Sequence, residues 1–128
     1  MADYRVNWYT DQVMALVNQA VDIEAMAHRI EERTKGNIVE NDQVDTGFML
    51  NSVYVITDAK SGYSAAQATA TALNPQAMML PPPPLGKADA AVVVGAEYAI
   101  YQELNRSFLF RALDEAKADA SSLVIKKL

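Results

Sequence analysis

The sequence predicts an α+β protein: a small antiparallel or mixed sheet packed against a long N-terminal helix and a C-terminal helix. Three observations carry this. Residues 10–35 place apolar side chains at helical spacing. Val53-Tyr54-Val55-Ile56-Thr57 and Ala90-Ala91-Val92-Val93-Val94-Gly95 are short β-type runs. Residues from Phe108 onward return to helical spacing. At 128 residues the chain is one domain's length and needs no disulfide to hold a core.

Taken in order, Val13, Leu16, Val17, Ala20, Ile23, Ala27 and Ile30 fall on one stripe, which predicts a helix from about Thr10 to Lys35. Thr10 or Asp11 would cap its start, Gly36-Asn37 would end it, and Trp8 and Tyr9 would anchor its entry or a subunit contact. Asn37 to Val44 reads as a polar connector. Asp45 or Thr46 is placed to cap a single helical turn over Phe48 to Ser52, with Gly47 permitting a tight backbone. Val53–Thr57 reads as a strand and 58–62 as a turn. Ala66 to Leu73 alternates Ala with Gln and Thr, a period of two that predicts a strand.

Residues 74–89 hold all five prolines, four of them as Pro81-Pro82-Pro83-Pro84, and predict a stiff, exposed excursion that serves as a subunit contact or a passive loop. The continuous apolar run at 90–95 predicts a strand buried on both faces. Glu97 to Leu104 reads as a short helix, and the last helix runs from Phe108 to about Lys126. One domain over 1–128 is expected.

The composition excludes several kinds of chemistry. There is no Cys and one His, against 16 acids and 11 bases. Thiol nucleophiles, thiolate metal sites and sites with two imidazoles are therefore absent. A net charge of −5 argues against a surface built to grip phosphate backbones. Local motifs fail in turn. Gly86-Lys87 lacks a phosphate loop's first glycine, since Pro81 stands there, and Ala88 replaces its Ser or Thr. Asn41, Gln43 and Asp45 have calcium-loop spacing, but Thr46 replaces the turn glycine and Ser52 the bidentate Glu. Glu31-Glu32 and Asp114-Glu115 diverge as helix neighbours, and His28 has no partner ligands at useful spacing. No catalytic residue, cofactor or metal is expected, and the chain is read as a non-enzyme. The N-terminus has no signal-peptide pattern, and charges interrupt every apolar stretch, so no membrane span is expected.

Two segments carry more information. One is Val44-Asp45-Thr46-Gly47-Phe48-Met49-Leu50-Asn51-Ser52-Val53. The other is Val92-Val93-Val94-Gly95-Ala96-Glu97-Tyr98-Ala99-Ile100-Tyr101-Gln102-Glu103-Leu104, soon followed by Ser107-Phe108-Leu109-Phe110-Arg111-Ala112-Leu113. In order and spacing they resemble the tail-completion and neck proteins (minor tail components) of long-tailed double-stranded DNA phages. The resemblance spans essentially the whole chain. The chain departs from the family where Glu103 is followed at once by Leu104-Asn105-Arg106, so the loop before the last helix is very short. It also departs at Met49 and Asn51, where a basic residue is frequent.

The resemblance implies a virion protein made in the host cytoplasm. It would form a sixfold or twelvefold homo-oligomeric ring between head-side connector and tail-tube proteins, with DNA passing through unbound. A tail terminator, a head-closure adaptor and a small intracellular homo-oligomeric binding module are the alternatives. Asp45, Thr46, Gly47, Tyr98, Ala99, Tyr101, Glu103, Phe108 and Leu109 would be structural motif residues. Tyr98, Ala99 and Tyr101 are expected to pack over the sheet, and Glu97 or Glu103 to pair with Arg106 or Arg111. Trp8, Tyr9, Pro81, Pro82, Pro83, Pro84, Arg106, Phe110 and Arg111 are candidate subunit contacts. Through Ser64 there are ten acids and five bases, and from Ala65 onward six of each. That asymmetry predicts an acidic first half facing the channel.

Overall fold

A computed structural model describes residues 3–9, 12–18, 23–82, 85 and 89–118. The element order is β1 (Asp3–Tyr9), β2 (Gln12–Asn18), α1 (Ile23–Glu40), α2 (Phe48–Asn51), β3 (Val53–Thr57), α3 (Tyr63–Leu73), β4 (Ala90–Val94), α4 (Ala99–Asn105) and α5 (Leu109–Ala118). The class is α+β, as expected. The sheet has the order β1-β2-β4-β3, and every neighbouring pair is antiparallel.

β4 organises the molecule. All five of its residues, Ala90 to Val94, are fully buried. Its amides and carbonyls therefore need partners along both edges. β3 supplies one edge, with Val53 opposite Val94 and Thr57 opposite Ala90. β2 supplies the other, with Val13 opposite Val94 and Val17 opposite Ala90.

That requirement explains the largest departure from the sequence reading. The long helix does not begin at Thr10. Residues 3–18 form a hairpin, paired from Asp3↔Asn18 to Tyr9↔Gln12, and α1 begins at Ile23. Val13, Leu16 and Val17 fit a helical stripe, but the continuous apolar run Val13–Val17 is short enough to fit a strand as well. The need of β4 for a second partner decides between them. Thr10, Asp11 and Ala20 lie outside the described residues.

α1 also ends later than expected. It runs through Gly36, so Asn37 to Glu40 is helix rather than connector. A Cβ at Gly36 would meet nothing within 4 Å, so the glycine sits on an open face. Its helical cost of about 1 kcal/mol is offset by the next turn, where Asn37 and Ile38 are buried. The helix closes in a Schellman motif: the Gln43 amide donates to Ile38 O at 3.0 Å and the Asp42 amide to Val39 O at 3.0 Å. Asp42 takes the left-handed position, with φ 59°.

Residues 63–73 are the second correction: they form α3, not a strand. Ala is the strongest helix former and a weak strand former. The Ala/polar alternation does not mark a buried face either, because among Ala65–Leu73 Ala70 alone is fully buried. Residues 60–62 fold back along the outer edge of β3. The Thr57 amide donates to Lys60 O at 2.7 Å, the Gly62 amide donates to Val55 O at 2.9 Å, and Ile56 bridges Ser61.

The excursion after α3 is anchored at its start. Met79 is buried and bridges Ala96. The Leu80 amide donates to Gly95 O at 2.9 Å and the Glu97 amide to Met78 O at 3.0 Å. Pro81 and Pro82 are exposed, and Pro83 and Pro84 lie outside the described residues. α5 begins at Leu109, and its expected extension past Ala118 also falls outside them. The core joins Met26, Ala27, Ile30 and Ile38 of α1 to the buried strands, with Leu109, Ala112, Leu113 and Ala116 of α5. Among the described residues no helix is long and apolar enough to cross a membrane.

Candidate functional site

The two recognisable segments, 44–53 and 92–113, fold into one hydrogen-bonded unit at the C-terminal end of α1. The first begins in a tight turn. Gly47 has φ 88°, and a Cβ there would lie 3.2 Å from Leu73 Cδ1, so both conformation and space favour glycine. The Phe48 amide donates to Thr46 Oγ1 at 3.3 Å, and Asn51 Nδ2 donates to Gly47 O at 2.9 Å. Thr46 thus closes a side-chain turn ahead of the helix and does not cap it, since no side chain caps α2. Asp45 is exposed, and Gly47 rather than Asp45 occupies the N-cap of α2.

Ser52, which closes this turn, ties the two segments together. Its hydroxyl donates to Met49 O at 2.7 Å and accepts from the Ala96 amide at 3.0 Å, while its carbonyl accepts from the Gly95 amide at 2.9 Å. A Cβ at Gly95 would come 2.5 Å from Met79 Cε and 3.2 Å from Ser52 O, so a larger residue would have to displace the end of the Met79 side chain and crowd the Ser52 carbonyl. The rings of Phe48 and Tyr98 meet at 6.3 Å, tilted by 37°. Burial raises the Tyr98 phenol above its ordinary pKa. A backbone hydrogen bond at Met49 opposes that shift, and the charge of Asp45 adds to it.

Glu103 is the buried charge of the unit, with 3% of its surface exposed. It does not pair with Arg106 or Arg111. Its carboxylate accepts from Ser107 Oγ at 2.6 Å and from the amides of Phe108, Leu109 and Phe110 at 3.3, 2.8 and 3.3 Å. These are the donors that the first turn of α5 leaves unsatisfied, and the negative charge also suits the positive end of that helix. The short loop after Glu103 is what lets a residue of α4 reach the start of α5.

The end of α1 holds this loop from the other side. Asn37 Nδ2 donates to Phe108 O and Glu115 Oε1, both at 3.0 Å. Asn41 Nδ2 donates to Ser107 O at 2.9 Å, and Gln43 Nε2 donates to Gln102 O at 3.0 Å and Arg106 O at 3.1 Å. Arg111 lies against Glu40 at 2.8 Å and donates to Asn41 Oδ1 at 3.2 Å, and Arg106 donates to Asn41 O at 3.3 Å. Both arginines thus have partners within the chain. Ser52, Asn37, Asn41 and Gln43 were not singled out as site residues in the sequence. Asn and Gln in a polar stretch carry no spacing signature, and their partners lie 59 to 78 residues away.

Ala99 is buried, but Tyr101 points outward with 71% of its surface exposed, so it does not pack over the sheet. Leu104, one helical turn on, is 72% exposed, and Phe110 is 43% exposed. The side chains of Trp8 and Tyr9 lie outside what the structure describes.

A groove of about 400 Å³ lies between α1, β3 and α3, with Val53, Val55, Ala65 and Ala66 among its walls. His28 Nδ1 sits 2.9 Å from Glu31 Oε1, and Lys60 Nζ 3.5 Å from Glu24 Oε1, at its margin. Among the described residues no group of three or more His, Asp or Glu could hold a metal ion. No family model, no curated protein and no solved structure matches this chain.

Proposed function

We propose that this protein is a structural subunit of a phage head–tail connection, a neck or tail-completion component that closes as a homo-oligomeric ring around the DNA channel. One observation carries the reading. The motifs that resemble the family, far apart in sequence, form a single unit through Ser52, Phe48–Tyr98 and Glu103. That unit presents Tyr101 and Leu104 outward on α4. A rigid scaffold that displays apolar side chains suits a subunit whose task is geometric.

A ring repeats one heterologous contact until it closes. Its neighbours would be head-side connector and tail-tube proteins, and its location the virion. Tail-terminator and head-closure roles use the same kind of ring and differ by position in the particle. The acidic first half belongs to this proposal as a channel lining that does not hold DNA. Three of its acids, Glu24, Glu31 and Glu40, are already engaged by Lys60, His28 and Arg111. The outward acids of that half then include Glu32, Asp42, Asp45 and Asp58.

Electron microscopy of the purified protein and of virion necks tests the reading. Rings with a central channel of DNA width are the expected result. A compact dimer that never joins particles overturns it, and a lumen lined mainly by Lys and Arg overturns the acidic lining alone.

A further inference from the structure

We infer that the α4 ridge of one copy, Tyr101 and Leu104, seats in the groove between α1, β3 and α3 of the next copy. The inference rests on the ring reading, and it names the two surfaces that a ring requires.

A heterologous contact needs two different and complementary patches on one chain. The described residues supply such a pair. The ridge is convex and apolar: Tyr101 and Leu104 are one turn apart and are the two most exposed large hydrophobic side chains among the described residues. Large aromatic side chains are also the usual anchors of protein interfaces. The groove is concave and holds about 400 Å³; Ala65 and Ala66 form an apolar wall over the buried Val53 and Val55, and polar residues such as Asn51, Thr57 and Thr69 line the rest, able to meet the Tyr101 hydroxyl. No α4 residue lines it, so a chain cannot fill its own groove with this ridge.

Charge agrees with the pairing. At the N-terminal end of the ridge, Glu97 is exposed beside Tyr98 and Tyr101 around a shallow depression. In the groove, Glu24 faces Lys60 and Glu31 faces His28, which leaves Lys35 as the cation to receive an incoming carboxylate. Seating the ridge brings Glu97 toward Lys35, an arrangement that sets the register of the contact more than its strength.

The absence of cysteine makes the test direct. Asn105→Cys places a thiol beside Leu104 on the ridge, and Ala65→Cys places one on the groove wall; both sites are exposed. The two variants are mixed under mild oxidation. A disulfide-linked heterodimer is expected, because each mixed pair offers one ridge thiol and one groove thiol. The chain carrying both cysteines should give a ladder of oligomers. Adding Tyr101→Asp to the ridge variant should cut the cross-linking rate about tenfold, as removal of an interface anchor does. Glu97→Lys should slow it, and Lys35→Glu on the groove partner should restore it.

Cross-linking no faster than with a control cysteine at Asp114 overturns the inference, and so does a dominant Asn105→Cys homodimer. If rings still form under the microscope in either case, the ring reading stands without this contact. If the cross-links form but rings and particle association never appear, the contact stands and the head–tail assignment falls.

Discussion

The carboxylate of Glu103, on α4, accepts the Leu109 amide of α5 at 2.8 Å while almost wholly withdrawn from water. A single side chain therefore links the two helices and satisfies amides in the first turn of the second.

Removing it strands several donors at once. Glu103→Ala is expected to destabilise the fold by about 2–3 kcal/mol, since hydrogen bonds to a charged group are worth more than neutral ones. Glu103→Gln should cost less, because an amide oxygen can still accept from part of the turn. Urea unfolding midpoints measure both, and a loss below that of an ordinary surface substitution would mean that water replaces the carboxylate without penalty.

The two left-handed residues should respond in opposite directions. Gly47→Ala puts a Cβ on a φ of 88° and 3.2 Å from Leu73, so a loss of about 1–2 kcal/mol is expected. Asp42→Gly relieves a non-glycine at φ 59° in the Schellman turn and should gain about 0.5–1 kcal/mol. Thermal melts of the pair check the signs.

Tyr54 is buried, and its hydroxyl has no hydrogen-bond partner. Its ring meets Tyr63 edge-on at 5.6 Å, so the aromatic packing does not depend on the hydroxyl. Tyr54→Phe should keep that contact and stabilise the protein by about 1 kcal/mol, because an unsatisfied polar group leaves the core.

The same residue sets a prediction at high pH. Burial, helped by the nearby Tyr63, raises the Tyr54 phenol far above its ordinary value, and burial also raises Tyr98. Between the unfolded and folded pKa values the folded state holds more protons, so stability falls as pH rises. The contribution of each phenol is complete below about pH 10, the unfolded tyrosine value, and declines above it. Stability measured from pH 8 to 11 should fall near the top of that range, and Tyr54→Phe should flatten the fall.

Asn37 spans α1 and α5 through two 3.0 Å hydrogen bonds, to Phe108 O and to Glu115. Asn37→Leu should cost about 1–2 kcal/mol and expose amides 107–110 to faster hydrogen exchange. Unchanged exchange there would mean that Glu103 alone holds the loop.

Local signals made β3, β4, the turn at 48–51 and the start of the last helix readable in the sequence. Each has a β-type apolar run, a turn pattern or apolar side chains at helical spacing. Residues 12–18 and 63–73 were not readable. In the first, the choice between strand and helix is made by a partner about 75 residues away, as in the pairing of Leu16 with Ala91. In the second, alanine alternation imitates a strand while alanine propensity makes a helix. The motif turn around Gly47 was legible. The role of Glu103 was not, because an acid near two arginines suggests an ion pair, and only the short loop brings the amides closer.

One more consequence follows from the turn at residues 60–62, which lies along the outer edge of β3. With those backbone groups engaged inside the chain, recognition on that flank runs through side-chain shape and charge. A bare strand edge accepts almost any extended segment, in any number. A covered one admits only a neighbour that fits. Wherever extended segments of other chains compete for a sheet edge, that small turn acts as insulation against promiscuous pairing.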